Sequence, residues 1–115
     1  MEQTPQETFQ RHVAALSAGD LDTLVSDYAH GALVLTATGE YRGRTAIREL
    51  FEGLVNALPQ LSLEAVSAVF ADNLLLLHWR ADSTLNSISD GVDTFVFNAG
   101  RIQHQTISCT LTPKT

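Results

Sequence analysis

Few side chains in this 115-residue chain combine a proton-handling group with an apolar setting, and His12 is the first. It interrupts a stripe formed by Phe9, Val13 and Leu16 at spacings of one helix face. An imidazole with an ordinary pKa near 6.5 suits an acid, a base or a hydrogen-bond donor near neutrality. The same placement also suits a buried histidine satisfied by a backbone carbonyl or a water. Asp93 alternates with Phe95 and Phe97, so if the phenylalanines face inward the carboxyl does too. Burial would raise its pKa, whereas an ion pair with protonated His12 would lower it. A third reading makes Asp93 a solvated carboxylate at the start of a strand, beside an Asp90-Gly91 turn. Gln105 alternates with Ile107 and Cys109, and could orient a ligand carbonyl or hydroxyl or else point outward. Trp79 belongs to the apolar phase Leu75, Leu77, Trp79, Ala81, against the polar phase His78, Arg80, Asp82, and reads as core or as ligand wall.

Other chemistries find little support. His30, His78 and His104 have no spacing that suggests metal ligands, and no metal or other cofactor is implied. Cys109 is the single cysteine, which precludes an internal disulfide, and it reads as a small core or pocket residue. Gly39 and Gly43 lack the strand-then-helix context of a phosphate loop. With 7 basic against 13 acidic residues and a formal net charge of -6, and no Lys/Arg cluster, nucleic acid and anionic membrane are not expected partners. The N-terminal stretch has neither a basic nor an apolar region of a secretory leader, and an apolar run such as Leu74–Leu77 is far too short to span a bilayer. The expectation is a soluble, cytoplasmic protein.

The elements that must position these residues follow from local signals. Thr4-Pro5-Gln6-Glu7 is a capping box with proline at the first helical position, and Gly19 is placed to end that helix. Asp20 caps a second, short helix carrying Leu21, Leu24, Val25 and Tyr28, closing near His30-Gly31. Ala32–Thr38 reads as a strand, followed by a turn at Gly39 and a short return strand at Tyr41. Ile47, Leu50, Phe51, Leu54, Val55 and Leu58 repeat at helical period until Pro59. Beyond it the spacing predicts strands over Leu61–Phe70, Leu74–Ser83, Asp93–Phe97 and Arg101–Thr110. Ala71-Asp72-Asn73 and Asn98-Ala99-Gly100 are the hairpin turns and Asp90-Gly91 a further turn. At this length one domain over residues 1–115 is expected, burying about two thirds of the unfolded chain's surface.

Three segments carry a family likeness: Gln10–Asp22 (QRHVAALSAGDLD), Tyr41–Phe51 (YRGRTAIRELF) and Asp93–Phe97 (DTFVF). They resemble bacterial ketosteroid isomerases, within the nuclear-transport-factor-2-like superfamily and its SnoaL-like branch, over about Phe9 to Cys109. The resemblance implies an α+β, cystatin-like cone in which three N-terminal helices pack on a curved antiparallel sheet and enclose an apolar pocket for a small hydrophobic molecule. It also implies a homodimer formed through the sheet, with His78, Arg80 and Asp82 on the contact face. By position, Asp93 matches the aspartic acid of the family's oxyanion hole, His12 its tyrosine and Thr36 its carboxylate base. Tyr28 and Phe51 match positions that form or approach the tyrosine network around that hole, and Phe51 cannot donate. Tyr28, Thr36, Phe51, Trp79, Phe95 and Gln105 are thus the expected pocket residues, with His12 and Asp93 the expected catalytic pair. A threonine hydroxyl titrates far above neutrality and cannot replace a carboxylate in taking a proton from carbon. The expected activity is therefore acid–base chemistry of isomerase, lyase or cyclase type without the family's base, or else non-catalytic binding or dimerisation on the same fold.

Overall fold

A computed structural model describes residues 3–114; Met1 and Glu2, part of the N-terminal stretch read above, and Thr115 lie outside the described residues. Helix α1, Pro5–Ala18, begins with the expected capping box: the Glu7 N–H donates to Thr4 Oγ1 at 3.1 Å and the Thr4 N–H to Glu7 Oε1 at 2.8 Å. Gly19, with φ 69°, ends it in the left-handed conformation. Helix α2, Leu21–Ser26, is capped by Asp20 through the Thr23 N–H. It stops four residues before His30, earlier than the periodicity suggests, because Asp27 draws the chain into the sheet. The Asp27 carbonyl accepts from the Ile102 N–H at 2.8 Å, and its buried carboxylate pairs with Arg11 at 3.2 Å. Tyr28 therefore opens strand β1, Tyr28–Thr36, and is not part of a helix. Strand β2, Gly39–Arg42, returns antiparallel to β1, and helix α3 follows over Gly43–Ala57.

The rest is sheet, as Pro59 signals: β3 Ser62–Ala71, β4 Leu74–Asp82, β5 Asn86–Asn98, β6 Arg101–Ser108 and the short β7 Thr112–Pro113. The spatial order is β2-β1-β6-β5-β4-β3, with β7 on the start of β5. The helices pack on a curved, unclosed, mainly antiparallel sheet, the α+β arrangement expected. One pairing departs from the expectation: β1 and β6 run parallel, bringing Val34 opposite Gln105. The buried apolar side chains form one cluster that includes Leu24, Tyr28, Ile47, Phe51, Leu75 and Phe95.

The turns differ from the sequence reading: Thr36 pairs with Gly39 and Ala71 with Leu74, so those loops are Ala37-Thr38 and Asp72-Asn73. Asn98 pairs with Arg101, so the β5–β6 loop is the two residues Ala99 and Gly100, with φ of 52° and 75°, rather than three; two successive left-handed residues match the twist of flanking strands. Asp90-Gly91 is no turn at all. The chain reverses at Ser83–Leu85, where Ser83 Oγ donates to the Asn86 carbonyl and accepts from its N–H, and β5 runs straight through Asp90 and Gly91. Those residues instead belong to a β-bulge. Trp79 faces Gly91 while Ala81 faces Ile88, so Ser89 and Asp90 together stand opposite Arg80. The bulge reverses the inside–outside phase: strict alternation from buried Ile88 would turn Asp90 and Val92 inward, whereas Gly91, Asp93, Phe95 and Phe97 are the buried residues. Asp93 thus lies within β5 rather than at a strand start, and the solvated-carboxylate reading fails: only 5% of it is exposed.

Candidate active site

Between α1, α3 and the concave face of the sheet lies an apolar cavity. His12, Phe9 and Leu16 of α1, Phe51 and Leu54 of α3, and Trp79, Asp93 and Phe95 of the central strands contribute to its wall. Each arrives by a local rule: His12 by the helical stripe of α1, Phe51 and Leu54 by the period of α3, Trp79 by alternation in β4, and Asp93 by alternation after the bulge. The cavity volume is about 30 Å³, room for roughly two waters.

Asp93 is the polar centre. The Trp79 Nε1–H donates to its Oδ1 at 2.9 Å, and the Gln105 Nε2–H donates to Oδ2 at 2.8 Å. The Tyr28 hydroxyl donates in turn to Gln105 Oε1. This polarity orients the Gln105 amide: its NH₂ faces the carboxylate and its carbonyl faces the phenol. Burial pushes the Asp93 carboxyl up to about 6, against the opposing pull of the two hydrogen bonds. Tyr28 is held well above its ordinary value, by burial first and then by the charges of Asp93 and Asp27, so it stays a donor at neutral pH.

His12 is neutral for a different reason. Its ring is surrounded edge-on by Tyr28, Phe51 and Phe95 at centroid distances of 6.0, 5.7 and 5.5 Å, and burial pushes its pKa down to about 4. Among the described residues its buried Nδ1 has no hydrogen-bond partner. The alternative of an ion pair with Asp93 is therefore not realised, and neither is a histidine satisfied by the backbone. At pH 7 the cavity holds a carboxylate with two donors and an uncharged imidazole with unused hydrogen-bonding capacity.

His12, Phe51, Trp79, Asp93 and Phe95 thus meet at one cavity, and Tyr28 and Gln105 stand behind Asp93 as a buried relay. Thr36 does not join them. It ends β1, where its hydroxyl lies 2.9 Å from that of Thr38 and accepts from the Thr38 N–H; Thr38 in turn contacts the Tyr41 hydroxyl at 2.9 Å. Cys109 is exposed just past β6 rather than a core or pocket-wall residue of this cavity, because the strand ends at Ser108. The reading from sequence missed Leu54 as wall and the Trp79–Asp93 hydrogen bond. The latter had a signal, since an inward indole N–H needs an acceptor and Asp93 was the available carboxylate on the same face. Among the described residues no group of three His, Cys, Asp or Glu side chains could hold a metal ion, and no helix is long and apolar enough to cross a membrane.

Helices packed on a curved sheet accord with the nuclear-transport-factor-2-like superfamily, and within it this chain belongs to the SnoaL-like domain family, whose model matches residues 9–105. No curated protein matches the chain. It is similar in structure to SalBIII, an epoxide hydrolase/cyclase-like enzyme of pyran ring formation in the polyether salinomycin, with 18% identity over 96% of this chain and 95% of that one and a TM-score of 0.81. AclR from Streptomyces galilaeus, provisionally named a hydroxylase, shares 18% identity over 92% and 88% of the two chains at a TM-score of 0.79. A protein from Sinorhizobium meliloti, provisionally named a polyketide cyclase, shares 17% identity over 91% and 99% at 0.76. At these identities the likeness is one of fold.

Proposed function

We propose that this protein is a cofactor-independent acid–base enzyme of isomerase, lyase or cyclase type, acting on a small, ring-containing hydrophobic molecule. The observation that carries the reading is the pairing of Asp93 with an unpartnered His12 in one apolar cavity. A carboxylate that titrates near 6 is close to the operating pH, where a general base is most effective. It would take a proton from carbon or hydroxyl, while the neutral imidazole donates a hydrogen bond to the oxygen on which charge develops. Asp93 thus assumes the role of base that Thr36 cannot fill. Phe51, Phe95 and Trp79 are proposed as the apolar wall, and Tyr28 and Gln105 as the relay that holds Asp93. The neighbours named for cyclisation chemistry are consistent with this class.

A ring does not fit into about 30 Å³, so the ligand must enlarge the cavity. Leu54 is the side chain to displace. It also borders an outer groove formed with Tyr41, Leu50, Cys109 and Leu111, and so stands between the two spaces.

The trial is proton exchange at carbon. Planar aromatic ketones and phenols of polyketide type, and steroids, are titrated against Trp79 fluorescence, and deuterium uptake next to the carbonyl is followed by NMR. Asp93→Asn is expected to retain binding and lose about 10²-fold or more of the exchange. His12→Phe is expected to weaken both. Unchanged binding and exchange in both variants would overturn the assignment. The small cavity favours a second reading, a non-catalytic binder; binding without exchange in the unaltered protein would select it. The exposed face of the sheet, with Val69, Leu74 and Leu76, is proposed to pair with a second copy.

A further inference from the structure

We infer that Gly91 is a positioning residue of the site: its missing side chain is the space into which the Trp79 indole fits, and this fit aims Nε1–H at Asp93. Gly91 and Trp79 are direct cross-strand partners, and both are buried. A Cβ at Gly91 would lie 2.3 Å from Trp79 Cε2, 2.4 Å from Cδ2 and 2.7 Å from Nε1. All three atoms sit around the five-membered ring, including the donor itself. The backbone does not explain the glycine, because Gly91 lacks the left-handed φ that Gly19 adopts. What the position requires is room.

The bulge supplies the rest of the device. Ser89 and Asp90 shift the phase so that Gly91 and Asp93, two residues apart, face the same side. Asp90 is tied there by the Thr110 N–H at 2.8 Å. The indole then spans from the backbone of Gly91 to the carboxylate of Asp93 along one strand. Any larger residue at 91 must turn the ring and move Nε1 off Oδ1. Asp93 would keep only the Gln105 donor while remaining buried.

The inference rests on the reading of Asp93 as base for its functional meaning, but its test needs no substrate. The Asp93 carboxyl is titrated by NMR in protein labelled with ¹³C at aspartate carboxyls, for the unaltered protein, Gly91→Ala, Trp79→Phe and the double variant. The other titratable groups around Asp93 are His12 on α1, Tyr28 on β1 and Cys109 past β6. Burial lowers the first to about 4, below Asp93, and raises the last two from ordinary values already well above it. Gly91→Ala and Trp79→Phe are each expected to raise the Asp93 midpoint by about one unit. In the double variant the shift should not add, because both act through the same N–H. Equal midpoints in Gly91→Ala and the unaltered protein, or shifts that sum, would overturn the inference. If Gly91→Ala does not fold, Gly91→Ala with Trp79→Val decides: restored folding supports the steric link, and failure to rescue overturns it. The proposed enzymatic reading could fail in the exchange trial while this coupling stands, and the reverse.

Discussion

Between pH 4 and 6.5 the two buried titratable groups of the cavity act on stability in opposite directions. His12 titrates near 4 in the folded protein and near 6.5 unfolded. As pH falls through that window the unfolded chain takes up a proton that the native state refuses, and stability is lost. Asp93 titrates near 6 folded against 3.8 as its ordinary value. Here the native state binds the extra proton, so its contribution is present at low pH and is lost as pH rises towards and through 6. Each effect is on the order of 3 kcal/mol, and together they nearly cancel. Urea unfolding from pH 4 to 7 should separate them: Asp93→Asn is expected to lose stability as pH falls below 6.5, and His12→Phe to gain it as pH falls below 6. Parallel pH profiles in the two variants would contradict these placements. At this scale much of the site was legible. His12 declared itself as the one polar member of an apolar helical stripe, and Trp79 by strict alternation. Asp93 was placed inward by alternation with Phe95 and Phe97, which holds, whereas the upstream bulge that sets this phase against Ile88 was not legible. Thr36 was legible only by likeness to a family, and the hydroxyl cluster with Thr38 and Tyr41 holds it elsewhere.

Elements were readable where a single local rule decides them. The capping box of α1, the 3.6 period of α3 and the alternation of β4 all hold to within a residue or two. They were not readable where a tertiary bond overrides the local signal. Asp27 ends α2 early because its carbonyl and carboxylate are claimed from β6 and α1. Asp90-Gly91 has the composition of a turn, yet cross-strand pairing uses it for a bulge. The parallel β1–β6 pair is a contact between distant segments that no local pattern encodes. Helix α3 carries the prediction proper to this scale. Leu54 is half-buried and borders both the inner cavity and the outer groove, so Leu54→Ala should merge the two spaces. Two-ring phenols are expected to bind about tenfold more tightly to this variant, since no closed state must first be displaced. Affinity unchanged or reduced, read from Trp79 quenching, would mean that ligands enter elsewhere.

For the molecule as a whole, the outer face of the sheet poses the question of partners. His78, Arg80 and Asp82 lie on it as expected, but Arg80 is engaged by Glu64 and Asp82 by Lys114. The apolar side chains beside them, Val69 at 59% and Leu76 at 42% exposure, face each other across β3 and β4. They are the more suitable centre for self-association. Light scattering at micromolar concentration should give the mass of a dimer, and Leu76→Glu that of a monomer; a monomeric unaltered protein would refute the pairing. The parallel seam between β1 and β6 has a further consequence. Tyr28 and His12 come from the N-terminal half, whereas Gln105, Asp93 and Trp79 come from the C-terminal meander, and the Tyr28–Gln105 bond crosses the seam itself. The meander pairs neighbours in sequence, but closing the seam joins segments some seventy residues apart, with the loop entropy that entails. Neither half alone holds both His12 and Asp93. Bringing His12 and Tyr28 to the Asp93 cluster therefore requires the N-terminal half and the meander to come together, so a chain that has folded only in part lacks the complete candidate site.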